Sequence, residues 1–92
     1  MIRSFRDKQT EAIFHGLSSR QFQEIQRIAQ RKLKQLNAAA QPRDLAMFPG
    51  NHLEALKGNR RGQYSIRIND QYRVCFAWSE SDAYDVEITD YH

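Results

Sequence analysis

The sequence predicts an α+β domain, with helices packed on one face of a small, mainly antiparallel sheet. Three observations predict it. Residues 64–89 alternate apolar and polar side chains in three runs separated by turn residues, as a β-meander with one buried face does. Residues 22–36 place apolar side chains at steps of three and four, as an amphipathic helix does. The chain has 92 residues, a length at which folding buries roughly two-thirds of the surface, so one sheet and one or two covering helices fill it. A single domain over residues 1–92 is expected.

Ile2-Arg3-Ser4-Phe5 alternates and fits a short strand that joins the sheet. Residues 8–15 fit one or two helical turns, stopped by Gly16. Ser18 stands three residues before Gln21, a capping-box spacing. The stripe Phe22, Ile25, Ala29, Leu33 and Leu36 then predicts a helix over residues 19–39, with Pro42 ending it and Arg20, Arg27, Arg31 and Lys34 on its other faces. Residues 40–63 lack a strong period. Pro49-Gly50-Asn51 is turn chemistry, residues 52–57 fit a helical turn, and residues 58–62 form a glycine-bounded basic loop.

The β part begins after Gly62. Tyr64, Ile66 and Ile68 alternate with Ser65, Arg67 and Asn69; Asn69-Asp70 is a hairpin candidate. Tyr72, Val74, Phe76 and Trp78 alternate with Arg73, Cys75 and Ala77. After a turn at residues 79–82, Tyr84, Val86 and Ile88 alternate with Asp85, Glu87 and Thr89. The apolar rows need a cover, and the long helix carries the large apolar stripe that can supply it.

Composition narrows the function. The formal charge is +3, unevenly placed: all fourteen Lys and Arg lie between residues 3 and 73 with six of the eleven acids, while residues 74–92 hold the other five and no Lys or Arg. A basic body closed by an acidic segment fits a polyanionic partner, or a surface whose charges interleave once folded. The single cysteine, Cys75, excludes an internal disulfide and a paired-cysteine metal site, and it fits a reducing, cytoplasmic setting. No apolar run has the length of a signal peptide or a membrane span. Walker loops, dinucleotide fingerprints and internal repeats are absent from the sequence, and the three His and one Cys show no metal-ligand spacing.

The period of two assigns faces. With Tyr72, Val74 and Phe76 toward the helix, Arg73 points to the opposite, open face, together with Arg67, Asp85, Glu87, Thr89 and, by continuation, Tyr91. The loop carrying Lys57, Arg60 and Arg61 enters the same sheet, and His92 with the terminal carboxylate is expected at the same rim. The closing stretch "EITDYH" is thus expected to deliver its residues to the open face. Such a set suffices for cutting RNA by its own 2′-hydroxyl, which needs a base, cations for the phosphorane and an acid for the departing 5′ oxygen. It equally fits a salt bridge from Arg73 to Asp85 or Glu87, a loop role for His52 and a solvated His92.

The order of "MIRSF", a long basic helix, "LEALKGNRRGQYSIRIND", "QYRVCFAW" and a terminal "DYH" resembles the HigB-type host-inhibition toxins of the RelE/ParE superfamily, across essentially all 92 residues. The resemblance implies a ribosome-dependent mRNA endoribonuclease that cleaves mRNA in the ribosomal A site without metal or other cofactor. It implies a cognate helix-turn-helix antitoxin, with operator DNA reached only through that antitoxin. It places Lys57 and Arg73 on the phosphate, Asp90 and His92 in proton transfer, and Tyr91 on the nucleotide. His52, Glu54, Arg60, Arg61 and Arg67 are then the surrounding RNA contacts. Some relatives carry a His three residues before the Lys; here that position is Glu54, with His52 two places earlier, so the general base is left among Glu54, His52, Asp90 and His92. A ParE-like inhibitor of a protein such as DNA gyrase, and a non-catalytic RNA- or ribosome-binding module, are the alternatives.

Overall fold

Helix α1 (Lys8–Phe14) and helix α2 (Gln26–Ala38) cover one face of a four-stranded antiparallel sheet of strands β1 (Glu54–Ala55), β2 (Gln63–Arg67), β3 (Tyr72–Ser79) and β4 (Asp82–Asp90), in that spatial order. The computed structural model describes residues 1–90.

Asp7 starts α1. Its carboxylate accepts from the Thr10 amide (2.7 Å) and hydroxyl (3.0 Å), meeting one of the amides that a helix start leaves open. The same Thr10 hydroxyl accepts from the Ile88 amide (3.1 Å), so the cap also fastens α1 to β4. Gly16, at φ +81°, ends the segment in a left-handed conformation that a side chain resists.

The second helix begins later than the apolar stripe predicts. Residues 23–25 form a 3-10 turn and α2 proper starts at Gln26. The expected box of Ser18 and Gln21 does not form: the N-cap positions of the 3-10 turn and of α2 are Phe22 and Ile25, neither with a side-chain cap. The neighbouring Ser19 amide donates to the Gln26 side chain (3.1 Å), and its hydroxyl donates to Gln9. The stripe still does what its spacing predicts, because Phe22, Ile25, Ala29, Leu33 and Leu36 are all buried. The helix ends at Ala38, and Pro42 opens a further 3-10 segment, Pro42–Met47, rather than ending α2.

Residues 52–57 are not a helical turn. Glu54 and Ala55 pair with Ser65 and Tyr64 as a short edge strand. Two residues of pairing leave too little alternation to be read from sequence. The N-terminal segment lies parallel to β4 through isolated bridges Ile2–Ala83 and Phe5–Val86, with amides such as Arg3 to the Ala83 carbonyl (2.8 Å). It is also tied to α2, where the Asn37 side chain accepts from the Ile2 amide (2.9 Å).

The meander has the predicted order. Asn69 closes its first turn by accepting from the Gln71 and Tyr72 amides (2.9 and 2.8 Å), in place of the missing glycine. In β4 the alternation slips at a bulge opposite residues 75–77, where Asp85 takes φ +52°. Tyr84, expected inward, is therefore exposed, while Ala83 and Val86 are buried. Ile13, Leu33, Leu36, Leu45, Ile66, Val74, Phe76 and Val86 form the centre of the core, all fully buried. Each such side chain contributes roughly 1.5–3 kcal/mol on burial.

Candidate functional site

The face of the sheet turned away from the helices is built in cross-strand rows. Arg73 lies opposite Arg67 on one side and Thr89 on the other. The next row runs Glu54, Ser65, Cys75, Glu87. Facing arginines repel across a strand pair. Here they turn apart: Arg67 donates to Asp70 in the hairpin turn, while Arg73 leans toward β1.

Arg73 occupies the predicted face but not the predicted environment. It is only 9% exposed, not open to solvent. Its Nε donates to Ser65 Oγ (2.7 Å), and one terminal nitrogen donates to the His52 carbonyl (2.5 Å) and the Ser65 carbonyl (3.3 Å). Glu54 Oε1 stands 4.0 Å from that nitrogen. The edge strand β1 and the segment before it contribute to this environment, bringing Glu54 and the His52 carbonyl to the guanidinium. A buried guanidinium requires such partners, since unpaired charge is costly to desolvate.

The expected ion pairs from Arg73 to Asp85 or Glu87 do not account for those acids. Glu87 instead receives Arg6 (3.3 Å) and Arg60 (3.5 Å), and the Asp85 amide hydrogen-bonds Ser4 Oγ.

The basic loop sits beside this row. Lys57 is exposed and leads into the 3-10 turn Gly58–Arg60. Arg60 also donates to Gln63 (3.1 Å), and Arg61 is exposed. Asp90 pairs opposite Tyr72, in the row that faces the helices, and accepts from Gln71 Nε2 (3.0 Å). Strand parity thus separates Asp90 from the Arg73 row. Tyr91 and His92 lie outside the described residues.

The structure therefore gathers Arg73, Glu54 and the main chain of His52, with Lys57, Arg60 and Arg61 on the adjoining loop. Sequence reasoning missed the groups that hold Arg73. Ser65 was legible in principle, because it shares Arg73's parity. The His52 carbonyl was not, since a loop carbonyl leaves no mark in a sequence. His52 has φ +43°, a left-handed backbone that costs a non-glycine residue roughly 1 kcal/mol or more.

Beneath that loop Asn51 is fully buried. Its side chain accepts from the Lys32 amine and donates to Gln35 Oε1 (3.1 Å) and the Leu45 carbonyl (3.0 Å). Burial pulls the Lys32 amine below its ordinary 10.5, and the nearby Arg31 and Arg67 charges add to that. Away from this face, an open apolar hollow of about 490 Å³ lies between α2 and the Pro42–Met47 turn, beside the exposed Met47 and Phe48.

The family described as "RelE-like toxin of type II toxin-antitoxin system HigB" matches residues 3–92. The chain belongs to the HigB-like toxin family. Among its relatives, Toxin HigB-1 of Vibrio cholerae serotype O1 is 38% identical over 85 residues, 90% of each chain. Endoribonuclease HigB of Proteus vulgaris is 33% identical over 94 aligned positions that span both chains entirely. In solved structures the fold is similar to the toxin–antitoxin complex YoeB–YefM of Staphylococcus aureus, with TM-score 0.61 at 22% identity, covering 100% of this chain and 98% of that one. The YoeB dimer from the same organism gives TM-score 0.60. These neighbours show a RelE-like fold. This HigB-like chain is thus a toxin of a type II toxin–antitoxin system, and among its described residues no helix is long and apolar enough to cross a membrane.

Proposed function

We propose that this HigB-like toxin is an endoribonuclease that cuts mRNA in the ribosomal A site and so stops translation in the cytoplasm. The observation that carries the reading is Arg73, held in a fixed pose on the sheet face beside the Glu54 carboxylate and the Lys57–Arg61 loop. A guanidinium already held by Ser65 and the His52 carbonyl pays little ordering entropy when a phosphodiester arrives. The full-length relative from Proteus vulgaris that bears the name Endoribonuclease HigB supports the same chemistry.

In this reading Glu54, whose side chain is 56% exposed, takes the proton of the RNA 2′-hydroxyl. The 2′ oxygen attacks phosphorus, and Arg73 with Lys57 carries the charge of the phosphorane. The bond to the 5′ oxygen breaks, an acid protonates that oxygen, and a 2′,3′-cyclic phosphate remains. His92 is the proposed acid, since Asp90 belongs to the row that faces the helices, and Tyr91 stacks on the nucleotide. Arg60, Arg61, Arg67 and the His52 side chain are proposed to guide the RNA backbone. All the charge compensation comes from side chains, so no metal is required.

The partner that restrains the toxin is a cognate helix-turn-helix antitoxin, through which alone the pair meets operator DNA. The toxin–antitoxin complex formed by the YoeB fold neighbour is in keeping with such a partner. Mapping mRNA 5′ ends after induction tests the proposal. Breaks at fixed positions within codons are expected. Intact mRNA with double-strand DNA breaks would transfer the chain to a ParE-like role against gyrase, and intact mRNA with stalled ribosomes would make it a binding module.

A further inference from the structure

We propose that Lys32, a buried residue of α2, is a positioning residue for Arg73, acting through Asn51 and the main chain of His52. The proposal rests on the nuclease reading for its consequence, but the linkage itself is structural.

Lys32 is 7% exposed and lies on the helix side of the sheet, where a lysine is an expensive occupant of space that Leu or Met would fill. Its amine donates to Asn51 Oδ1. Asn51 is held at every polar atom. Besides Gln35 and the Leu45 carbonyl on its side-chain amide, its own amide donates to the Phe48 carbonyl (3.0 Å), and its carbonyl accepts from the Arg67 amide (2.6 Å). The next residue is His52, at φ +43°, and its carbonyl accepts from Arg73.

These facts fit together physically. A left-handed non-glycine residue persists only where its surroundings over-determine it. Rotation of φ at His52 to the ordinary negative range would swing its carbonyl away from Arg73. What prevents that rotation on the N-terminal side is the anchoring of Asn51, and one anchor is the Lys32 amine. Removing the amine leaves a buried carbonyl oxygen without that donor, at a cost that local rearrangement of residues 51–52 relieves. The helix thus sets the pose of a guanidinium on the far face of the sheet, without either side chain touching the other.

The test uses the full chain bearing Lys32→Met, with Lys32→Gln as a second variant that keeps an N–H donor and a near-native polarity. Two readouts are taken: the nuclear magnetic resonance signals of the Arg73 guanidinium, and cleavage of mRNA on programmed ribosomes, with binding measured separately. In Lys32→Met the Arg73 signals are expected to shift and their hydrogens to exchange about tenfold faster than in the parent. Cleavage at saturating substrate should fall about 10- to 100-fold while affinity stays within about twofold, with Lys32→Gln falling between parent and Lys32→Met. Unchanged Arg73 signals in folded Lys32→Met would overturn the proposal. So would a loss of cleavage that only tracks the unfolded fraction. Should Lys32→Met not fold, Lys32→Gln decides by the same signals. Should the parent not cleave RNA, the nuclease reading fails, and the Arg73 signals alone still decide whether Lys32 positions that side chain.

Discussion

Strand β3 shows two solutions to burial on its two faces. Toward the helices, Val74 and Phe76 are fully buried among apolar side chains. Away from them, Arg73 and Cys75 are almost as buried, at 9% and 0% exposure, in two adjacent rows of polar neighbours. One face is held by area removed from water and tolerates exchange of shape within limits. The other is held by a few directed bonds to Ser65 and the His52 carbonyl, and loss of any one leaves a polar group exposed to a dry environment. The lesson is that the pleat dictates direction, and only the neighbouring elements dictate burial.

The largest effects should separate the two faces cleanly. Phe76→Ala is expected to cost about 3–5 kcal/mol in unfolding free energy, read by chemical denaturation, and to reduce toxicity only through loss of folded protein. Arg73→Lys keeps the charge and most of the stem but loses the planar fork that reaches Ser65 and His52 together. It should leave a folded chain whose cleavage of ribosome-bound mRNA falls by about 100-fold or more, a magnitude usual for removing one preorganised charge donor. A folded Arg73→Lys variant that still arrests growth as the parent does would break the comparison, because the polar face would then be only a structural filler.

These two faces also mark how far the sequence could be read. The period of two in residues 64–78 and the three-four stripe of residues 22–36 were legible because each element is long and buries one side. Arg73's direction followed from the same parity. Its polar partners did not all follow, because the His52 carbonyl and Glu54 come from a loop and an edge strand of two residues that tertiary packing brings beside it. The bulge at Asp85, which turns Tyr84 outward, was hidden for the same reason: a single extra residue changes parity without changing composition. Lys32 and Asn51 are single polar residues whose mutual bond spans nineteen positions, and no local pattern announces it.

A matched pair of smaller changes sharpens the comparison. Val74→Thr and Cys75→Ser each put one hydroxyl at a fully buried site of similar size. On the apolar face the hydroxyl meets a core of Ile66, Phe76 and Val86, and a cost of about 1–3 kcal/mol is expected. On the polar face it sits in the row of Ser65 and Glu87, and the cost should stay below about 1 kcal/mol. Equal costs measured by urea unfolding would mean that the two faces share one dielectric character.

The smallest expected effect concerns Lys32, the charge that lies between the two regimes. Burial first, then the neighbouring Arg31 and Arg67, hold its amine below the ordinary value of 10.5. As pH rises from the folded value toward 10.5, the unfolded chain therefore binds more protons than the folded one. Stability contributed at this site must rise with pH across that window, and the unfavourable burial of charge is felt most at neutral pH. Asn51 and its other side-chain partners, Gln35 and the Leu45 carbonyl, carry no titrating group, so after burial Arg31 and Arg67 are the charges that act on the amine. Unfolding free energies of the parent and of Lys32→Met, measured in parallel between neutral pH and pH values near 10.5, should converge or diverge in the parent's favour as pH increases. A difference that stays flat would mean that the amine enters the folded state without losing solvation, and that the boundary between the two faces is wet where the geometry makes it dry.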